Sequence, residues 1–232
     1  MADTVDETLV QAVLAMHPWV QRLPPAERFA AALRALLEAE SCRRGGPDPV
    51  TGALHLSALT QGGLLKGEFD LSVHAHSGWT AGAVVADVKE MILVNQETGF
   101  ALGDRFLRAV ASALSAAFPG VPVVRVHTDC FAALFLPSTG VTLEVSSPGH
   151  ALRALHDATE AFRSAEGVPQ RPVDFTVSAL SLTVLDPSHW QVLGPLLWAE
   201  IERAHVMARR GLASGIQERR LRLDGRVPVS AA

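Results

Sequence analysis

Ala83-Val84-Val85-Ala86-Asp87-Val88-Lys89, followed by Asn95, Gly99 and Gly103-Asp104, opens the stretch that decides the fold. Val124-Arg125-Val126-His127-Thr128-Asp129-Cys130-Phe131 closes it. Val84, Val85 and Ala86 make the short apolar run that a buried strand needs, and Asp87 stands where such a strand ends. From Asp104 onward, Phe106, Leu107, Val110, Leu114 and Phe118 recur at three- and four-residue steps, which gives a helix one apolar face. Pro119-Gly120 stops that helix. Val121 to Val126 and Phe131 to Leu136 are two apolar β-type runs around a polar tip, so the whole reads strand, loop, amphipathic helix, hairpin.

These residues resemble the GGDEF family, the diguanylate cyclases that condense two GTP into cyclic di-GMP. The family's first motif is Asp-hydrophobic-Asp at a strand end, then an Asn and Gly-His-x-x-Gly-Asp. Here it reads Asp87-Val88-Lys89, Asn95 and Gly99-Phe100-Ala101-Leu102-Gly103-Asp104. The naming motif, Gly-Gly-Asp/Glu-Glu-Phe after Arg-x, reads Arg125-Val126 and then His127-Thr128-Asp129-Cys130-Phe131. Two further segments fall in the family's order. Asp48-Pro49-Val50-Thr51-Gly52-Ala53-Leu54-His55 resembles a leading Asp-x-Leu-Thr-Gly-Leu-x-Asn, and Phe175-Thr176-Val177-Ser178-Ala179-Leu180 resembles a Val-Thr-x-Ser strand. The resemblance runs from Pro47 to about Gly211. It implies an α/β sandwich of the nucleotidyl-cyclase type, with a central, mainly antiparallel, five-stranded sheet flanked by helices. The chain then divides into an N-terminal helical extension, residues 1–46, and a degenerate GGDEF domain, residues 47–232.

Carried over residue by residue, the resemblance implies a guanine edge read by Asn95 and Asp104 and a divalent cation held by Asp87 and Asp129. Cyclising GTP needs that cation against the phosphates, donors to hold them, and a base for the 3′-hydroxyl. The departures fall on the phosphates. The hairpin glycines become His127 and Thr128, whose β-carbons crowd an approach that glycine leaves open. The hairpin Glu becomes Cys130, the Lys after the first motif becomes Ile92, and the motif's second Asp becomes Lys89, reversing a charge beside the cation. With Gly211 aligned to the family's late helix, its phosphate-binding Lys and Arg fall on Ala208 and Leu212; Arg209 or Arg210 substitutes after a register shift. The family's inhibitory product site, Arg-x-x-Asp, falls on Phe118-Pro119-Gly120-Val121 and is missing. Structural roles compete for the retained residues: Asp104 as a helix cap, Asn95 as a loop partner for backbone donors, and Asp87 and Asp129 as partners of Lys89 or Arg125.

The remaining sequence sets the context. At 232 residues and 48% apolar content, the chain buries one sizeable core. A net charge of −4 leaves no electrostatic footprint for nucleic acid or an acidic membrane. No apolar run approaches a membrane span, and the N-terminus, Met-Ala-Asp-Thr-Val-Asp-Glu, is acidic rather than signal-like, so a cytoplasmic protein is expected. Cys42 and Cys130 are too few for a disulfide framework or a metal cluster. Residues 5–44 read as helix, with a stripe too short and broken for a heptad seam. The segment Gly62 to Thr80 reads as a variable loop or hairpin, and its His74 and His76 lack a third ligand nearby. Helical spacing over His150 to Ala165 and Leu193 to Arg210, a β run over Asp174 to Leu185, and a terminal strand pair over Gln217 to Val229 complete the chain. Arg203, Arg209, Arg210, Arg219, Arg220 and Arg222 make a mildly basic cluster, read as a solvated face or as a docking patch for an acidic partner.

The expected function is that of a pseudo-enzyme: a catalytically inactive regulatory protein of bacterial signalling that binds a protein partner or its own copy and needs no cofactor. The alternative is a GTP-binding sensor, with magnesium accompanying the nucleotide, followed by a weak cyclase.

Overall fold

A computed structural model describes residues 47–59, 64–65, 78–166, 172–185, 190–212 and 215–222. Strand β2 (Trp79–Val88) is its spine, buried at every position but Thr80. Successive side chains of a strand point to opposite faces. Val84, Ala86 and Val88 therefore enter one core, and Trp79, Ala81, Ala83 and Val85 enter another. An apolar run without alternation suits a strand covered on both sides.

β4 (Cys130–Phe135) pairs antiparallel with one edge of β2, and β5 (Phe175–Leu185) pairs antiparallel with the other. β3 (Val123–Arg125) forms the hairpin with β4, and β1 (Leu54–His55) lies parallel to β3. β6 (Ile216–Arg222) runs parallel to β5. The strand order is β1-β3-β4-β2-β5-β6, a mainly antiparallel mixed sheet as expected, with six strands where five were expected. The segment read as a terminal strand pair contributes the single strand β6 among the described residues. Leu221 alternating with arginines suits a partly solvated sheet edge, and it finds its partner in β5.

Helix α1 (Met91–Thr98) and helix α2 (Phe100–Ala117) follow β2, and α3 (Ser147–Glu166) and α4 (Trp190–Arg209) lie later in the chain. Phe106, Leu107, Val110 and Leu114 of α2 and Ala151 and Leu155 of α3 cover one face of the sheet. Leu193, Leu197, Ile201 and Ala204 of α4 cover the other. Each face is thus sealed by an apolar helical stripe.

The segment read as a loop before Asp104 is instead α1 plus the first turn of α2. Gly99, with φ 79°, is shared between the end of one helix and the start of the next. Met91 is the buried residue of α1, so there was no apolar periodicity to find. Helix α3 begins at Ser147 rather than His150. Pro148 fits its first turn, where a missing N–H breaks no helical bond. The expected helical extension 1–46, Cys42, His74 and His76 lie outside the described residues. Among the described residues no helix is long and apolar enough to cross a membrane.

Gly103 lets α1 and α2 meet, because a β-carbon there would overlap the Asn95 side-chain oxygen and come within 2.9 Å of Met91 Cε. Gly103→Ala is expected to destabilise the chain by about 1–3 kcal/mol, the ordinary range for overpacking. A lowered urea midpoint at unchanged m-value is the measurement that checks it.

Candidate functional site

Arg125, the last residue of β3, orders the hairpin tip. Its Nη1 donates to Asp48 Oδ2 at 2.8 Å, and its Nε and Nη2 donate to the carbonyl of Thr128. Asp48 is held in turn by the Thr51 backbone N–H and hydroxyl, both at 2.7 Å. The leading motif Asp48 to His55 is therefore a structural clasp, closed further by Arg108 Nε donating to the Val50 carbonyl. Arg125 and Asp48 are both buried, and a planar guanidinium suits such a multiply bonded position.

Asp87 and Cys130 are direct cross-strand partners, so their side chains lie side by side on one face. Asp87 shares the parity of Val85, and Cys130 that of Ala132 and Leu134, all of which face α4. There Asp87 meets His205 Nε2 at 3.9 Å and Arg209 Nε at 3.7 Å. Cys130 Sγ lies 3.7 Å from His205 Nδ1. Asp87, Cys130 and His205 are all buried. Burial, aided by the Asp129 carboxylate, pushes the Asp87 carboxyl up to about 6 against the opposing charges of Arg209, His127 and Lys89. Burial and then the carboxylates of Asp87, Asp129 and Glu202 push the Cys130 thiol far up. Burial, with His127 and Arg209, pulls the His205 imidazole down.

The expected pairings of Asp87 and Asp129 with Lys89 or Arg125 do not form. Lys89 binds Asp174 at 2.6 Å, and Arg125 is committed to Asp48. Asp129 is partly exposed at the tip and accepts from the Thr128 hydroxyl at 3.2 Å. His127 reaches across to α4, 2.9 Å from Glu202 Oε2, while Trp198 Nε1 donates to the other Glu202 oxygen at 3.0 Å. Phe131 is wholly buried in the core under α2. Arg203 and Arg219 of the basic cluster both bind Glu200. Ala208 lies on α4, and Leu212 follows it, exposed.

Asn95 on α1 packs over Gly103, the neighbour of Asp104 on α2, and Asn95 and Asp104 are both partly exposed. Asp104 does not cap its helix. The capping position belongs to Gly99, and Asp104 falls in the second turn. Ile92 is exposed, on the outer side of α1.

The residues at the cation position do not fit a magnesium–triphosphate complex. Magnesium demands hard oxygen ligands in near-ideal octahedral geometry. Here Asp87 and Asp129 supply oxygen, but a buried thiol and an imidazole adjoin Asp87 in place of further oxygen ligands. Sequence reading missed His205 and Glu202 altogether. The signal was a histidine on the apolar stripe of α4, four residues after Ile201.

The fold recurs in solved structures. The GGDEF domain of DgcB from Caulobacter crescentus, in complex with c-di-GMP, matches with a TM-score of 0.51 at 16% identity, over 74% of this chain and 94% of that one. The diguanylate cyclase SiaD from Pseudomonas aeruginosa, in complex with its activator SiaC, matches with a TM-score of 0.53 at 17% identity, over 92% of this chain and 78% of that one. No family model and no curated protein matches the chain. The chain has the GGDEF-type, nucleotidyl-cyclase-like fold, shared with a c-di-GMP-bound GGDEF domain and a diguanylate cyclase.

Removing Arg125 strands a buried carboxylate. Arg125→Ala is expected to cost about 3–5 kcal/mol near neutral pH. Burial alone would raise the Asp48 pKa, but the Arg125 charge and the Thr51 and Arg125 hydrogen bonds hold it below 3.8. In the parent chain its contribution is therefore present above 3.8 and lost as pH falls through the folded value. In the variant burial wins and the sign reverses. Urea denaturation of both proteins should show the deficit narrowing on acidification, as Asp48 takes up its proton.

Proposed function

We propose that this chain is a catalytically inactive GGDEF-type regulatory protein that acts by binding a protein partner in bacterial signalling linked to cyclic di-GMP. The observation that carries the reading is the surroundings of Asp87. The retained carboxylate faces His205 and Arg209 of its own α4, and its cross-strand neighbour is a buried thiol where the family has a glutamate. A tip tied to α4 through His127 and Glu202 adds to this, because the family leaves glycine there for the nucleotide to approach. Removing a single transition-state donor costs about a hundredfold or more in rate. Several are replaced here at once. Binding by a partner is supported by analogy alone: SiaD, which shares the fold, is held by its activator SiaC.

A second reading, a GTP sensor, draws on Asn95, which packs over Gly103, and on Asp104, the next residue of α2, both partly exposed. Magnesium would then enter with the nucleotide.

Incubation with GTP and magnesium is expected to yield no cyclic di-GMP by chromatography, and measured turnover to product would overturn the pseudo-enzyme reading. Thermal melting with GTP and magnesium separates the two binding modes. A site filled at a hundred times its Kd stabilises by about 2.7 kcal/mol, so a sensor gains several degrees that Asp104→Ala removes. A partner-binding protein melts unchanged.

A further inference from the structure

We infer that Asp87, Cys130 and His205 form a site for a divalent transition-metal ion, zinc foremost, beneath the hairpin tip. One ligand atom from each residue lies within 4.8 Å of the others, and all three residues are buried. Carboxylate, thiolate and imidazole together are a zinc donor set, whereas magnesium avoids sulfur and takes oxygen. A tetrahedral ion with bonds of about 2.0–2.3 Å spaces its ligands roughly 3.5 Å apart. The 3.7 Å between Cys130 Sγ and His205 Nδ1 is close to that spacing, and no separation in the trio exceeds 4.8 Å.

The placement is rigid. Asp87 is the penultimate residue of β2, Cys130 begins β4 opposite it in register, and His205 is buried on α4. No ligand depends on a loop. An outer group is in place as well: the His127 ring stands 5.8 Å from that of His205 and is anchored by Glu202. Groups of this kind orient metal ligands. Arg209 is largely exposed, so its guanidinium is free to swing into solvent when a cation arrives. Three protein groups leave a fourth position for water.

The replacement of the family's hairpin glutamate by Cys130 then has a chemical direction. It places a soft donor beside Asp87, where His205 of α4 adds an imidazole from the same face. The inference deepens the reading above by assigning a different ion to Asp87. The two fail separately: cyclic di-GMP formation overturns inactivity, and metal uptake is read without nucleotide.

The test uses the full chain, stripped with chelator and titrated with Co2+ or Zn2+ alone. One Co2+ per chain is expected, with a thiolate-to-cobalt charge-transfer band in the near ultraviolet that Zn2+ abolishes. Cys130→Ser should remove the band and Cys42→Ser should keep it. His205→Gln should weaken Zn2+ binding by more than about a hundredfold, beyond the usual loss for an outer partner. Circular dichroism of each stripped variant checks folding. Should Cys130→Ser misfold, the stoichiometry, the Cys42→Ser band and His205→Gln still decide the matter. No stoichiometric uptake, a band that follows Cys42, or Zn2+ affinity unmoved by His205→Gln would each overturn the site.

Discussion

The guanidinium of Arg125 is gripped between the carboxylate of Asp48 and the carbonyl of Thr128, and the geometry at the hairpin tip follows from that grip. Burying two charges is unfavourable unless their remaining hydrogen-bonding capacity is met. Here Thr51 donates twice to Asp48, and Arg125 spends its other donors on the tip. The leading motif, the edge strand β1 and the tip are thereby one mechanical unit, with β1 laid parallel to β3 at Leu54 and Val124. Beside it, backbone bonds from His127 N–H to the Cys130 carbonyl and from Val88 N–H to the Asp129 carbonyl fix the tip.

The sheet supplies the second constraint. With both faces covered, side-chain parity along β2 and β4 decides which helix each residue meets. Odd positions on β2 and even positions on β4 look toward α4, which sets Asp87 and Cys130 together against His205. A one-residue slip would turn both away from His205 and toward the apolar core of α2 and α3. The same parity sends Phe131, next in sequence to Cys130, into the opposite core. Two residues of one motif thus have unrelated tasks: one anchors the sandwich and the other lines a polar cluster.

Fold and chemistry diverge at this cluster. The sandwich is that of GGDEF domains, yet function resides in the site rather than in the architecture that carries it. Asp87 stands near the strand end, and its neighbours there are a thiol, an imidazole and a guanidinium. Lys89, a charge reversal on paper, turns away to Asp174 and leaves the Asp87 carboxylate to α4.

Apolar runs were enough to place the hairpin, β5 and most of β2, and a 3.6-residue period placed α2; Trp79 and Thr80, read as the end of a loop, are the first residues of β2. The altered motif from His127 to Phe131 was legible through the resemblance to the GGDEF family. Helix α1 escaped because a short helix with one buried residue has no stripe, and β6 escaped as a lone strand because its partner lies on β5, far back in the sequence. The pairings of Asp48 with Arg125 and of Cys130 with His205 join residues 77 and 75 positions apart. Only tertiary structure decides such pairs, since side-chain chemistry acts over a few ångströms in space and is blind to distance along the chain.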